Sequence, residues 1–182
     1  MATLTERMIG AARLDAQTYE EVEHDETATS QAMLVVVLAS LASGVAVFGQ
    51  AGLLGLLLGT VMSLVGWVIW AAIVYFVGTR ILPTAETEAD LGQLLRTIGF
   101  SASPGLLAVF GVIPGLGALI RIVASLWQLA AMVVAIRQAL DFESTGRAVG
   151  VCLIGWLAYL IFSWVVLAVL GIGAAGTGAI GH

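Results

Sequence analysis

The chain has 182 residues, of which 60 % are hydrophobic and 10 % are charged. A soluble domain is typically about 25 % charged and buries only about 70 % of its chain's surface at this size, so a water-soluble fold is excluded. The formal net charge of −5, from seven Arg, no Lys and twelve acids, argues against a nucleic-acid partner. The composition therefore indicates a protein that crosses a lipid bilayer several times.

Residues 1–30 form a polar, acidic segment that we expect to be cytoplasmic. The segment lacks the basic start and apolar core of a secretory signal. It contains one apolar helical face, which either lies in the membrane interface or packs on the protein itself. Asp15 is placed to cap a second short helix. The members of the apolar face are Leu4, Met8, Ala11 and Ala12.

An acidic cluster ends this segment. Its members are Glu20, Glu21, Glu23, Asp25 and Glu26, with His24 among them. Such carboxylates can hold a divalent cation, but the spacing fits no EF-hand loop. We interpret the cluster as a solvated acidic face, with a partner that carries a basic patch as the functional alternative. No metal and no cofactor is expected.

Residues 31–172 contain five apolar runs, each close to the length that a bilayer core needs, and are predicted to form an all-α domain of five transmembrane helices. The predicted spans are 32–49, 52–78, 97–113, 119–137 and 148–170. Gln50 and Ala51 are predicted to connect the first two spans, and a polar connection is predicted from Arg80 to Arg96.

The five-span topology places the two termini on opposite sides of the membrane. With the N-terminus in the cytoplasm, six of the seven arginines are cytoplasmic, and Arg121 alone is near the outer face. Because cytoplasmic loops carry the excess of basic residues, we expect a multi-pass protein of the cell membrane with its N-terminus inside and its C-terminus outside.

Reactive groups are scarce in this sequence. Cys152 lies within the fifth run, where a thiol is normally an inert small hydrophobe. Residues 171–176 spell G-x-G-x-x-G, but a dinucleotide site needs a preceding strand, so residues 173–182 are interpreted as a Gly/Ala-rich tail. We therefore expect no catalytic residues and no enzyme activity.

Two polar residues stand out in the fourth run. Arg121 is interpreted as an anchor at the outer interface, with an anion or lipid-headgroup contact as the alternative. Gln128 lies near the middle of the run, where an amide needs a partner on another helix. Helix packing is the first interpretation for Gln128, and the lining of a polar path is the second.

Small residues recur at helical spacing in three runs. Such faces let helix backbones approach closely in lipid, where no hydrophobic force drives helices together. We predict helix contacts at these positions, either within one bundle or against another subunit. They are Ser40 and Gly44 in the first run, Gly55, Gly59 and Ser63 in the second, and Ala131 and Ala135 in the fourth.

One segment resembles a known family. Residues 99–104, Gly-Phe-Ser-Ala-Ser-Pro, are similar to the Gly-Tyr-Ser-x-x-Pro segment that enters the third helix of Yip proteins, and Pro114 matches a second proline at that helix's far end. The family-motif residues are Gly99, Phe100, Ser101, Pro104 and Pro114. The N-terminal segment is similar to the bacterial branch, because the Asp-Leu-x-Gly-Pro motif of eukaryotic members is missing.

The resemblance implies a five-helix, non-enzymatic protein with a membrane-organising role. We accordingly expect a membrane adaptor, an organising factor or an accessory subunit, whose partners are the bilayer and another membrane protein or a second copy. A small transporter, channel or lipid-handling protein is the alternative.

Overall fold

The computed structural model describes residues 2–45 and 48–169. The secondary structure in these ranges is helical, as expected, with seven α-helices, one π-helical turn and one 3-10 helix. The tail predicted for 173–182, together with the G-x-G-x-x-G spelling, lies outside the described residues.

Two short helices, α1 (Leu4–Ala12) and α2 (Ala16–His24), form an N-terminal hairpin. Asp15 caps α2 as predicted, because its side chain accepts a hydrogen bond from the amide of Gln17 at 3.3 Å. Leu14 joins the helices with a φ of +62°, in the left-handed region that a leucine rarely adopts. The hairpin is therefore closed by a short and sharply bent turn.

The apolar face of α1 is turned towards the rest of the protein. Ala11 is fully buried, and Leu4 and Met8 pack against a buried cluster that also contains residues of α3. Of the two interpretations of this face, packing on the protein therefore describes the structure.

Five helices in the described part of the chain are long and apolar enough to cross a membrane. Each matches one predicted span to within a few residues, except that the third begins six residues earlier than predicted. Their ranges are Ala28–Val45, Gly52–Ile81, Leu91–Val112, Gly117–Ala139 and Thr145–Ala168. The corresponding elements are α3 (Ala28–Val45), α4 (Phe48–Phe76) with the π-helical turn Val77–Ile81, α5 (Leu91–Phe100) with the 3-10 helix Ser103–Val112, α6 (Gly117–Ala139) and α7 (Thr145–Val169).

Two predicted connections differ from the structure in their boundaries. Gln50 and Ala51 are helical, and the chain bends at Gly52, whose φ of +63° suits glycine. The connection predicted from Arg80 to Arg96 is shorter, because Arg80 lies in the π-helical turn and Leu91 already begins α5. Asp90 and Gln93 form a capping box that starts α5 there.

The third span lies at the centre of the bundle and is built from two kinds of helix. Regular α-helix ends at Phe100, and Pro104 lies in the first turn of the 3-10 helix that follows. Proline is accepted there because the amide that it lacks would have no partner in the first turn. This span runs parallel to α3, since Ala32 faces Gly99 and Ala39 faces Gly105.

The two ends of the bundle differ in polarity. The end that carries the hairpin and the connections 82–90 and 140–144 is called the polar end below. The opposite end, where Gly115 takes a φ of +81° in the turn before α6, is called the apolar end. Buried clusters join the hairpin to α3 and α5, and join α4 to α6 and α7. Large side chains of α4, α6 and α7 remain exposed along the spans, as lipid contact requires.

Candidate functional site

A cavity opens on the side of the bundle between α3, α4, α5 and α6. Its volume is about 550 Å³, and we call it the α4 cavity. It brings together the predicted small-residue face of α4 and several polar or aromatic side chains. Its lining includes Ser40, Gly44, Gly55, Gly59, Ser63, Trp67, Trp70, Gln128 and Met132.

Two small residues of α4, Gly59 and Ser63, are exposed in the described part of the chain. A Cβ atom placed on Gly59 would meet no heavy atom within 4 Å among the described residues. Ser63 is exposed, and its hydroxyl donates to the backbone oxygen of Gly59 at 2.9 Å. Packing within this bundle therefore does not explain the face that contains Gly59, and a contact with another molecule stays a prediction.

The small residues of α3 and α6 do lie at contacts within the chain. The hydroxyl of Ser40 donates to Thr60 of α4 at 3.3 Å, and Gly44 lies against the side chain of Leu56. Ala131 and Ala135 are fully buried. The small residues of α3 and α6 thus lie at helix contacts, whereas Gly59 of α4 does not.

The polar residues of α6 lie at different depths. Gln128 is half-buried on the α4 cavity, where its Oε1 would lie 3.0 Å from a Cβ atom on Gly105. Arg121 lies near the apolar end and donates from Nη1 to the backbone oxygen of Gly111 at 3.0 Å. Arg121 therefore satisfies a carbonyl at the end of the 3-10 helix, while its side chain stays exposed.

The family-motif residues occupy the centre of the bundle, except for the last. Gly99 touches the backbone of α3 at Ala32, and Phe100 is fully buried. Ser101 is buried and donates to the backbone oxygen of Ile98 at 2.7 Å. Pro104 is buried, whereas Pro114 is exposed in the turn before α6.

A second candidate region lies at the polar end, where the hairpin is held by buried arginines. Arg7 is 2 % exposed and donates to Glu21, Asp25 and Gln31. Its Nη2 lies 2.8 Å from the Glu21 carboxylate and 2.6 Å from the Asp25 carboxylate. A buried guanidinium needs such partners, because an unpaired buried charge is costly.

Arg96 fixes the hairpin to α5. It is 6 % exposed and donates from Nε to the backbone oxygens of Val22 and Glu23, at 3.1 and 3.0 Å, and from Nη2 to Glu23. These oxygens belong to the last turn of α2, where helix carbonyls have no partner in the helix and carry partial negative charge. We call the contact between Arg96 and the end of α2 the hairpin dock.

The interpretation of the acidic cluster as a solvated face is wrong for Glu23. Glu23 is 2 % exposed because α2 turns it towards the bundle. Burial, together with the charges of Glu20 and Asp141, raises the pKa of Glu23 to about 7.

Hydrogen bonds shift the pKa values of the two residues that follow Glu23. A hydrogen bond between the His24 ring and the backbone carbonyl of Glu20 raises the pKa of His24. Hydrogen bonds from Thr27 and Arg7 hold the pKa of Asp25 well below its ordinary value.

Sequence reasoning missed the hairpin dock. Arg7 and Arg96 were counted only as basic residues that set the orientation. A signal was present for Arg96, because it lies in the same strongly amphipathic helix as Leu94, Ile98 and Phe100, which are buried. Arg7 is likewise surrounded by the apolar face of α1.

The sequence of this chain matches one known family. The family model described as the Yip1 domain matches residues 15–167. No curated protein and no solved structure matches the chain significantly. Since the match covers most of its length, the chain belongs to the Yip1 domain family, whose members are generally non-enzymatic membrane proteins.

Proposed function

We propose that this multi-pass Yip1-domain protein is a membrane adaptor or accessory subunit that binds a transmembrane helix of another membrane protein along the α4 cavity. The observation that carries the proposal is the open face of α4 at Gly59, where an added Cβ atom would have no heavy atom of the described chain within 4 Å. The family assignment supports a non-enzymatic role.

The composition of this face supports a helix as the ligand. Membrane helices associate through van der Waals packing and hydrogen bonds, and small residues allow their backbones to approach. Gly59 leaves such room, and Gly55 and Ser63 lie about one turn to either side of it, so the three cover about 12 Å of helix. Ser63 also carries a hydroxyl at the exposed surface, where its oxygen can accept a hydrogen bond from a partner helix.

The distribution of charge supports an orientation. Arg80, Arg96, Arg137 and Arg147 belong to the polar end, as does the hairpin with Arg7 and Arg13, whereas Arg121 lies near the apolar end. The excess of arginine on one side favours a cytoplasmic polar end in a cell membrane, with the end of α7 on the opposite side. Acidic side chains of the hairpin then face the cytoplasm and offer a basic partner a second contact.

The test is co-purification of the tagged full-length protein in mild detergent, with Gly59→Leu as the variant. The added side chain fills the space that a partner backbone would occupy, so we expect at least about a tenfold loss of any stoichiometric membrane partner, equivalent to about 1.4 kcal/mol. Val61→Leu is the matched control, because Val61 is 56 % exposed on another side of α4. Equal recovery of the partner with both variants would refute binding at this face.

A lipid-handling or transport role is the second candidate, and Gln128 is the observation that favours it. Its amide faces the same α4 cavity, and a polar group at that depth suits a lipid headgroup or a polar path. The Gln128→Leu variant separates the two functions: loss of copurified lipid with partner binding retained would favour lipid handling. If Gln128→Leu changes neither the copurified lipid nor partner binding, the amide of Gln128 serves only in helix packing.

A further inference from the structure

Three side chains that commonly bind metals converge on one face of α2. Glu20, Glu23 and His24 are spaced i, i+3 and i+4, which places them side by side on a helix. One carboxylate oxygen from each glutamate and one ring nitrogen of His24 all lie within 4.8 Å of one another. A single ion between them can therefore be reached by all three.

Glu23 is an independent indication that this group binds a ligand. Its side chain is almost completely removed from solvent, and Oε2 has no hydrogen-bond partner among the described residues. Arg96, a buried cation at the same end of α2, directs its N–H groups to backbone oxygens of Val22 and Glu23 instead. A buried carboxylate is costly unless it is paired, hydrogen-bonded or bound to a metal.

The surroundings of the other two ligands suit coordination. Nδ1 of His24 is 2.9 Å from the backbone oxygen of Glu20, which leaves Nε2 with its lone pair when Nδ1 carries the proton. Metal-bound histidines usually donate their second N–H to a carbonyl or carboxylate in this way. Gln138 of α6 donates to Oε1 of Glu20 at 2.9 Å and so fixes the orientation of that carboxylate.

We propose that Glu20, Glu23 and His24 form a binding site for a divalent transition-metal ion, with Zn²⁺ as the best-fitting example. Two carboxylates and one imidazole are ligands that Zn²⁺ accepts, and water completes a four-coordinate shell. The imidazole favours this class of ion over Mg²⁺ and Ca²⁺, which prefer oxygen ligands alone.

An entry path for the ion lies beside the site. A polar cavity of about 380 Å³ at the polar end is lined by four acids, Glu20, Glu86, Asp141 and Glu143, together with Gln138 and Arg137. The four carboxylates outnumber the one arginine and so favour a cation on the side of Glu20. A bound ion would join the hairpin more firmly to α6, because Glu20 is already hydrogen-bonded to Gln138.

The experiment is calorimetric titration of ZnCl₂ into the full-length, tag-free protein in detergent, after removal of metals with a chelator. We expect one Zn²⁺ per chain in the wild type. Glu23→Gln and His24→Gln should each weaken binding by roughly tenfold or more, because each removes one of three ligands. Glu26→Gln is the matched control: it removes the same charge from an exposed residue next to the site and should bind Zn²⁺ as the wild type does.

The dependence of thermal unfolding on Zn²⁺ is a second test, because residues that serve only in folding would not change the effect of added Zn²⁺. Zn²⁺ should raise the midpoint of the wild type and of Glu26→Gln, but not that of Glu23→Gln or His24→Gln. His24 is exposed, so its variant tests the site even if the change at the buried Glu23 disturbs folding. Absence of Zn²⁺ binding in the wild type, or equal affinity in wild type and His24→Gln, would overturn the proposal.

Discussion

The second and third spans face opposite surroundings. In the apolar 18-residue stretch of Gly52–Ile81, 11 % of the residues are buried inside the protein, against 67 % for Leu91–Val112. The buried span is also the one that contains Arg96, Thr97, Ser101 and Ser103. In lipid the outer surface has to be apolar, so polar groups collect in the most buried helix. In the third span, buried polar side chains thus accompany a central position in the bundle.

The largest loss of stability is expected from Arg96→Met, a change in the buried third span. The change leaves the last carbonyls of α2 without their donor at a buried position, and an unsatisfied buried acceptor costs about 1–3 kcal/mol. We expect a loss of about 3 kcal/mol in the free energy of unfolding, because two residues lose their contact. Thermal unfolding in detergent and proteolysis of residues 2–27 measure the release of the hairpin.

Arg13→Met is the control for this change. Arg13 is an exposed arginine at the tip of the same hairpin, so its loss removes a charge without disturbing the hairpin dock. Unaltered proteolysis of Arg96→Met would show that the hairpin is held by other contacts.

Smaller changes in stability are expected when alanine replaces one glycine in the third span and one in the second. A Cβ atom on Gly99 would lie 2.7 Å from the Cβ of Ala32 and 3.2 Å from its backbone, so α3 has to move. We expect Gly99→Ala to destabilise the protein by about 1–3 kcal/mol, the usual cost of overpacking. Gly59→Ala, which meets no neighbour, should raise stability by about 0.5 kcal/mol through helix propensity.

Gly99→Ala and Gly59→Ala together test how differently the two spans are buried. Both variants add one methyl group to a glycine within a helix. Their midpoints of thermal unfolding should therefore move in opposite directions, and equal shifts would contradict the assignment of Gly99 to a tight contact.

An effect confined to the N-terminal hairpin is expected from Trp127→Phe. The indole Nε1 donates to the backbone oxygen of Ala12 at 2.7 Å, so phenylalanine loses one hydrogen bond, worth about 1 kcal/mol. Faster hydrogen exchange in α1 should accompany the loss. Trp164→Phe is the control, because Trp164 is 73 % exposed on α7 and its substitution should leave α1 unchanged.

Much of the fold could be predicted from hydropathy and capping residues. Runs of apolar residues determine the number and order of the spans, because irregular backbone cannot face lipid. Asp15 was recognised as a cap for a local reason, since a helix start needs a side-chain acceptor close in sequence. The start of α5 was missed because Leu91 to Arg96 is too polar to be recognised as part of a membrane span.

The hairpin dock could not be predicted, because it depends on contacts between residues far apart in the chain. Arg96 meets residues 73 and 74 positions before it. The change to a 3-10 helix at Ser103 has no periodic signal either, since almost every residue of 103–112 is apolar. Burial of Glu23 likewise follows from the docking of α2, whereas its sequence neighbours are acidic and indicate a solvated helix.

The arginine at the hairpin dock also has an evolutionary consequence. Arg96 recognises main-chain oxygens of α2, which every amino acid provides. Mutations in the exposed side chains of α2 outside the proposed metal site can therefore accumulate without loss of this contact, whereas replacement of Arg96 affects the whole hairpin at once. Among related sequences, we expect the arginine to vary less than the helix that it holds, so that the hairpin can acquire new surface chemistry on an unchanged scaffold.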